Sequence, residues 1–170
     1  YEPPQLQQPI LAGPKPDLYV LAVGIAEYAN PQFNLRYPDD DARDFVAACK
    51  RQEGRFYGKV EARLFTDREA TRMNIIQGLA WLRKSATAND VAFLFASAHG
   101  VKDTAGDAYL FAHDADLDSI LATAVPWTDF QRVLGKMPGR TMMFMDTCYS
   151  GGFASNALTK GVAADFTDTY

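Results

Sequence analysis

Apolar positions along the chain follow two kinds of pattern, and the pattern sets out the elements. Leu18 to Gly24, LYVLAVG, is a near-continuous apolar run, as in a strand buried on both faces. Val60 to Thr66, VEARLFT, alternates and predicts a second strand. Val91 to Ser97, VAFLFAS, follows Asp90 and predicts a third. Tyr109 to Ala112 predicts a short hairpin strand, and Thr141 to Met145 a short buried strand. Helical spacing fills the intervals. Pro38 and the run Asp39, Asp40, Asp41 open a helix whose apolar side is Ala42, Phe45, Val46 and Cys49, which puts Cys49 in the core. The three aspartates suit a helix start, where carboxylates cap free N–H groups and offset the dipole. Thr71 caps a second helix to about Ala86, with Ile75, Ile76, Leu79 and Leu82 inward. Trp127 to Gly135 predicts another, with Thr128 as cap and Pro138-Gly139 as its end. Ile25 to Tyr37 is a loop with Asn30-Pro31 as turn signal. Residues 1 to 16, rich in Pro and Gln, form a tail or linker, which leaves residues 17–170 as one domain. Strands alternating with helices predict an α/β domain with a mostly parallel central sheet and helices on both faces. There is no internal repeat.

Composition narrows the function classes. The 170 residues are 48% hydrophobic and 22% charged, enough for a sizeable core. A net charge of −4 argues against nucleic acid as the main partner. No apolar run reaches the ~18 residues of a membrane helix, so no membrane partner is expected. The start lacks the basic end and apolar run of a signal peptide, and the compartment stays open. Two cysteines, Cys49 and Cys148, and two histidines, His99 and His113, are too few for a disulfide framework or a cysteine zinc site. His113 belongs to surface or packing.

Chemistry concentrates at two strand ends. The third strand runs out at Ala98-His99-Gly100, and the last at Asp146-Thr147-Cys148 before Gly151 and Gly152. Parallel sheets bind ligands at the carboxyl edge. If these two strands are neighbours, imidazole and thiol leave that edge side by side. A cysteine thiol, with a pKa near 8.5, needs such an imidazole to lower its pKa or take its proton during attack. Gly100 offers a backbone N–H for an oxyanion beside the histidine. The simpler reading of each residue alone is structural: a buried inert cysteine and a packed histidine. A thiol phosphatase would need an arginine after the cysteine, and Tyr149 to Ala154 holds none. The serine-hydrolase elbow G-x-S-x-G is absent.

With these residues the sequence resembles the caspase-like cysteine peptidases, in particular the metacaspase and bacterial caspase-homologue branch. SAHG at Ser97 to Gly100 is close to the family's S-G-H-G, and DTCYSGG at Asp146 to Gly152 to its D-x-C-x-S-G. The histidine and cysteine stand 49 positions apart, against about 50 in caspases. LRYPDDDA at Leu35 to Ala42 matches L-x-G-C-x-N-D-A after the first strand, with Tyr37-Pro38 in place of Gly-Cys. Ala98 stands where the family has glycine, and a residue that small is expected to keep the turn.

The resemblance implies a caspase-like three-layer fold and a Cys148–His99 endopeptidase, with an oxyanion held by the N–H groups of Gly100 and Cys148. It maps the acidic substrate pocket of the metacaspase branch onto Asp41 and Asp146, hence cleavage after Arg or Lys, with Lys160 as a self-cleavage point. Helix capping is the competing role for Asp41. Arg36, near a caspase's pocket arginine, is the counter-argument to basic specificity. The family has six core strands, two of them beyond the cysteine, and only a large-subunit part is evident here. A second chain or a continuation is therefore expected to complete the sheet. Calcium is a candidate cofactor, since related enzymes bind it through scattered aspartates, and Asp114 is a weak candidate ligand. The run Asp114, Asp116, Asp118 fails as an EF-hand, with Ser119 at the glycine position and Val125 at the last ligand. A solvated acidic loop is the simpler reading. The alternatives from other classes are a catalytically silent caspase-like scaffold and a homologue that cuts after Asp.

Overall fold

The computed structural model describes residues 13–147. The first twelve residues of the expected tail, and Cys148 and Lys160, lie outside the described residues.

The main sheet has four parallel strands in the order β2-β1-β3-β7: β1 (Leu18–Gly24), β2 (Val60–Thr66), β3 (Val91–Ser97) and β7 (Arg140–Asp146). Apolar side chains alternate across the central strands, and each face has its own helix layer. On one face Leu18, Val20 and Ala22 pack with Ala42, Val46 and Cys49 of α1 (Pro38–Lys50). On the other, Leu21 and Val23 pack with Ile75, Leu79 and Leu82 of α2 (Arg72–Ser85) and Phe130 of α4 (Trp127–Leu134). This is the α/β architecture predicted, with Cys49 in the core as expected.

A small antiparallel sheet is appended: β4 (Gly100–Lys102), β5 (Ala108–Leu110) and β6 (Val125–Pro126), in that order, with the short helix α3 (Ile120–Thr123) leading into β6. The expected hairpin strand at Tyr109 to Ala112 is shifted. Phe111 and Ala112 are buried past the end of β5, and Phe111 N–H bonds to the His99 carbonyl at 2.9 Å.

Three helix and strand expectations need correction. The aspartates of α1 do not cap it. Its N-cap is Tyr37, with no side-chain bond, and Pro38 supplies a preset φ at the first turn instead. Asp39, Asp40 and Asp41 act there only through the dipole. Thr128 does not cap α4, because Val125-Pro126 is committed to β6 and Trp127 is already helical. The strand at Thr141 to Met145 exists but is not buried: Met142 is 50% and Phe144 40% exposed. β7 pairs with β3 on one side and is an edge strand among the described residues. Thr71 does cap α2, accepting from Asn74 N–H at 3.2 Å.

Candidate active site

The four parallel strands end level. Gly24 is in register with Thr66 on one side and Ser97 on the other, and Ser97 with Asp146. One row of strand ends therefore forms the carboxyl edge, and β3 and β7 are neighbours, as the thiol–imidazole reading requires. Ala98 N–H donates to the Asp146 carbonyl at 3.3 Å, so the chain leaving β3 stays beside the chain leaving β7. Ala98 is buried and keeps negative φ, and the turn survives without the family's glycine. Cys148 follows Asp146 by two positions in sequence.

His99 is buried, 6% exposed, in a nest of aromatic rings. The Tyr28 ring lies 5.3 Å from the imidazole, centre to centre, and Tyr28, Phe33 and Phe111 pack on one another at 5.2 to 6.4 Å. Hydrogen bonds to Tyr28 and Phe33 help to fix the residue. Its backbone N–H donates to the Tyr28 hydroxyl at 3.0 Å. Its Nε2 lies 2.9 Å from the Phe33 carbonyl oxygen. A carbonyl only accepts, so Nε2 carries the hydrogen and, in the neutral ring, Nδ1 carries the lone pair. Burial holds the imidazole pKa below its ordinary value of 6.5, while the Phe33 carbonyl pulls the other way. The neutral ring is thus the form present at pH 7.

Gly100 opens β4 opposite Leu110. Because the His99 carbonyl accepts from Phe111 N–H, Gly100 and Leu110 are a non-hydrogen-bonded pair, and Gly100 N–H turns away from β5. Asp146 is exposed at the end of β7. Asp41 is exposed in the first turn of α1, whose start presses on the last residue of β1, Gly24. The structure thus brings His99, Gly100 and Asp146 to adjoining strand ends, with Asp41 on the helix that packs over that edge. Arg36 lies over its neighbour Tyr37, 5.1 Å from the ring centre.

Asp114 stands beside the start of α2. Its carboxylate accepts Arg72 N–H, at 3.0 Å, in the first turn of α2. Asp116 is likewise turned on its own loop, accepting from Asp118 N–H. Among the described residues no group of three or more His, Cys, Asp or Glu is placed to hold a metal ion.

Sequence reasoning found no third partner for the histidine. The structure shows one, the Phe33 carbonyl, with Tyr28 as a second support. A backbone acceptor leaves no residue signature. Tyr28 sits in an unpatterned loop and could be found only once the fold brings that loop to the end of β3.

No curated protein matches the chain significantly. Among solved structures, the crystal structure of protein GSU0716 from Geobacter sulfurreducens is similar, with a TM-score of 0.64 and 22% sequence identity. The similarity covers 79% of this chain and 52% of that one, so the chain spans about half the length of that protein. The family model described as Caspase domain matches residues 18–168, from the first strand through both motif strand ends. The chain belongs to the caspase-domain family.

Proposed function

We propose that the protein is a cysteine endopeptidase in which Cys148 is the nucleophile and His99 its acid–base partner. The observation that carries this is the state of His99: neutral, buried, and locked by Phe33 with Nδ1 as its basic nitrogen, at a strand end level with the one that leads to Cys148. His99 takes the thiol proton as sulfur attacks the peptide carbonyl, and the N–H groups of Gly100 and Cys148 hold the oxyanion. The C–N bond breaks as His99 returns the proton to the leaving amine, leaving a thioester that water hydrolyses. Replacing Cys148 or His99 by Ala should lower peptide cleavage by at least about a hundredfold, whereas Cys49→Ala should retain most of it in folded protein. Full activity in Cys148→Ala would refute the reading. A silent scaffold would instead show Cys148 labelling with a thiol probe no faster than an ordinary exposed cysteine.

Specificity for Arg or Lys is the second part of the proposal. A substrate side chain entering a pocket must meet opposite charge or its desolvation goes uncompensated. Asp41 and Asp146 are exposed, and no cap bond occupies Asp41. Arg36, the one argument for an acidic substrate residue, stacks on Tyr37. Matched fluorogenic peptides ending in Arg, Lys or Asp should be cut in the order basic before acidic. An Asp41→Ala, Asp146→Ala double variant should lose that preference, and an unchanged preference in the folded double variant overturns it. The same reading makes Lys160 a self-cleavage point and assigns residues 17–170 to the peptidase domain. It also has a further polypeptide or a continuation of this one pairing along the outer side of β7.

A further inference from the structure

We propose that Asp67 is a positioning residue for His99, acting through the loop between β1 and α1. This rests on the reading of His99 as the acid–base residue. Asp67 follows the last residue of β2 and has φ +48°, the only positive φ at a non-glycine among the described residues. Aspartate is one of the few residues with a side chain that adopts this region, and it does so where its short carboxylate can bond to nearby backbone. Asp67 Oδ1 accepts two adjacent backbone N–H groups of the loop that follows β1, Ala26 at 2.9 Å and Glu27 at 2.8 Å.

The loop so gripped is the one that holds His99. Tyr28, whose hydroxyl accepts His99 N–H, is the next residue after Glu27, and Phe33, whose carbonyl accepts Nε2–H, lies five further on. Other bonds close the same loop. Leu35 N–H donates to the Ala26 carbonyl at 2.8 Å, and Asn34 Oδ1 accepts Tyr28 N–H at 2.9 Å. His113 clamps it from outside: its Nδ1–H donates to the Glu27 carbonyl at 2.7 Å, its carbonyl accepts Ala29 N–H, and its own N–H donates to the Ala70 carbonyl, just past the turn that Asp67 begins. Asp67 and His113 thus tie the loop to the β2–α2 turn. Neither touches the imidazole, and both fix the frame in which the Phe33 carbonyl selects the Nε2–H tautomer. Without that frame the neutral ring is free to exchange its proton between the two nitrogens, and only one tautomer leaves Nδ1 basic.

The test separates carboxylate from backbone. Asp67→Gly keeps the left-handed backbone, which glycine adopts readily, and removes only the acceptor. Asp67→Asn retains an acceptor and tolerates the same φ. Two readouts are taken on folded protein, checked by thermal unfolding: kinetics on a fluorogenic peptide, and the nitrogen-15 shifts of the His99 ring above pH 7. Asp67→Gly should lower kcat about 10- to 100-fold with little change in KM, and should move His99 from a single Nε2–H tautomer to an averaged pair. Asp67→Asn should restore both readings to near wild type. A glycine variant with a single tautomer and wild-type kcat overturns the proposal, as does an asparagine variant no better than glycine. If the glycine variant does not fold, Asp67→Ala, which also removes the acceptor, takes its place with the same expected and overturning results. If the parent protein cleaves no peptide, the endopeptidase reading fails, and the tautomer measurement still decides the role of Asp67.

Discussion

His99 shows how a single residue can carry charge information in its surroundings. Its pKa is depressed, chiefly by burial. The unfolded chain therefore binds a proton that the folded chain refuses, in the interval below 6.5. The stability that comes from keeping the ring neutral is whole above pH 6.5 and is lost as pH falls from there through the folded-state pKa. Thermal unfolding from pH 8 to pH 5 should show wild type losing more of its melting temperature than His99→Gln, and equal slopes would refute the assignment. At the same scale Cys49 is the counterpart of the proposed nucleophile. Burial pushes its thiol pKa up, which suits a packing cysteine rather than a reactive one.

Among the elements, the close approach of α1 to β1 decides where the carboxyl edge begins. A Cβ on Gly24 would stand 2.1 Å from the Pro38 carbonyl oxygen and 2.7 Å from Ala42 Cβ. The obstacle is partly backbone, so it cannot rotate away. Gly24→Ala should lose about 1–3 kcal/mol in urea unfolding, and a loss within error of zero would mean that α1 shifts freely. The β1 run was legible because a doubly buried strand has only one pattern, and α2 because Thr71 and four inward apolar residues agree. Thr128 misled because a capping residue type says nothing of the strand pairing just before it. β7 misled for a related reason: apolar composition marks a strand, but only neighbours decide whether it is covered. The site divided in the same way. His99 and Gly100 were legible as side chain and glycine beside a strand end, whereas the bonds from Phe33 and Tyr28 depend on a loop folding back from the end of the neighbouring strand.

For the molecule as a whole, β7 leaves the matter of its outer side. Met142 and Phe144 are about half-exposed, and Phe144 lies 5.1 Å from the ring of Phe45 and 5.5 Å from that of Phe93, at the rim of the α1 layer. An apolar edge strand offers unpaired backbone groups and tends to acquire a partner. Gel filtration with intact mass of the active species should find these 170 residues joined to additional polypeptide, and a stable, active monomer of these residues alone would overturn the expectation. The parallel order of the sheet has another consequence, in time rather than in space. Every strand pairing spans an intervening crossover: β1 finds β2 only past α1, and finds β3 only past α2 as well. Loop closure must precede the contacts that reward it, so such sheets assemble slowly. β1, α1 and β2 close the shortest circuit through the central strand. On loop-closure cost alone the β1–β2 pairing is expected before the pairings that bring in β3 and β7, so φ-values in β1, α1 and β2 should exceed those in β7, the strand that leads to Cys148.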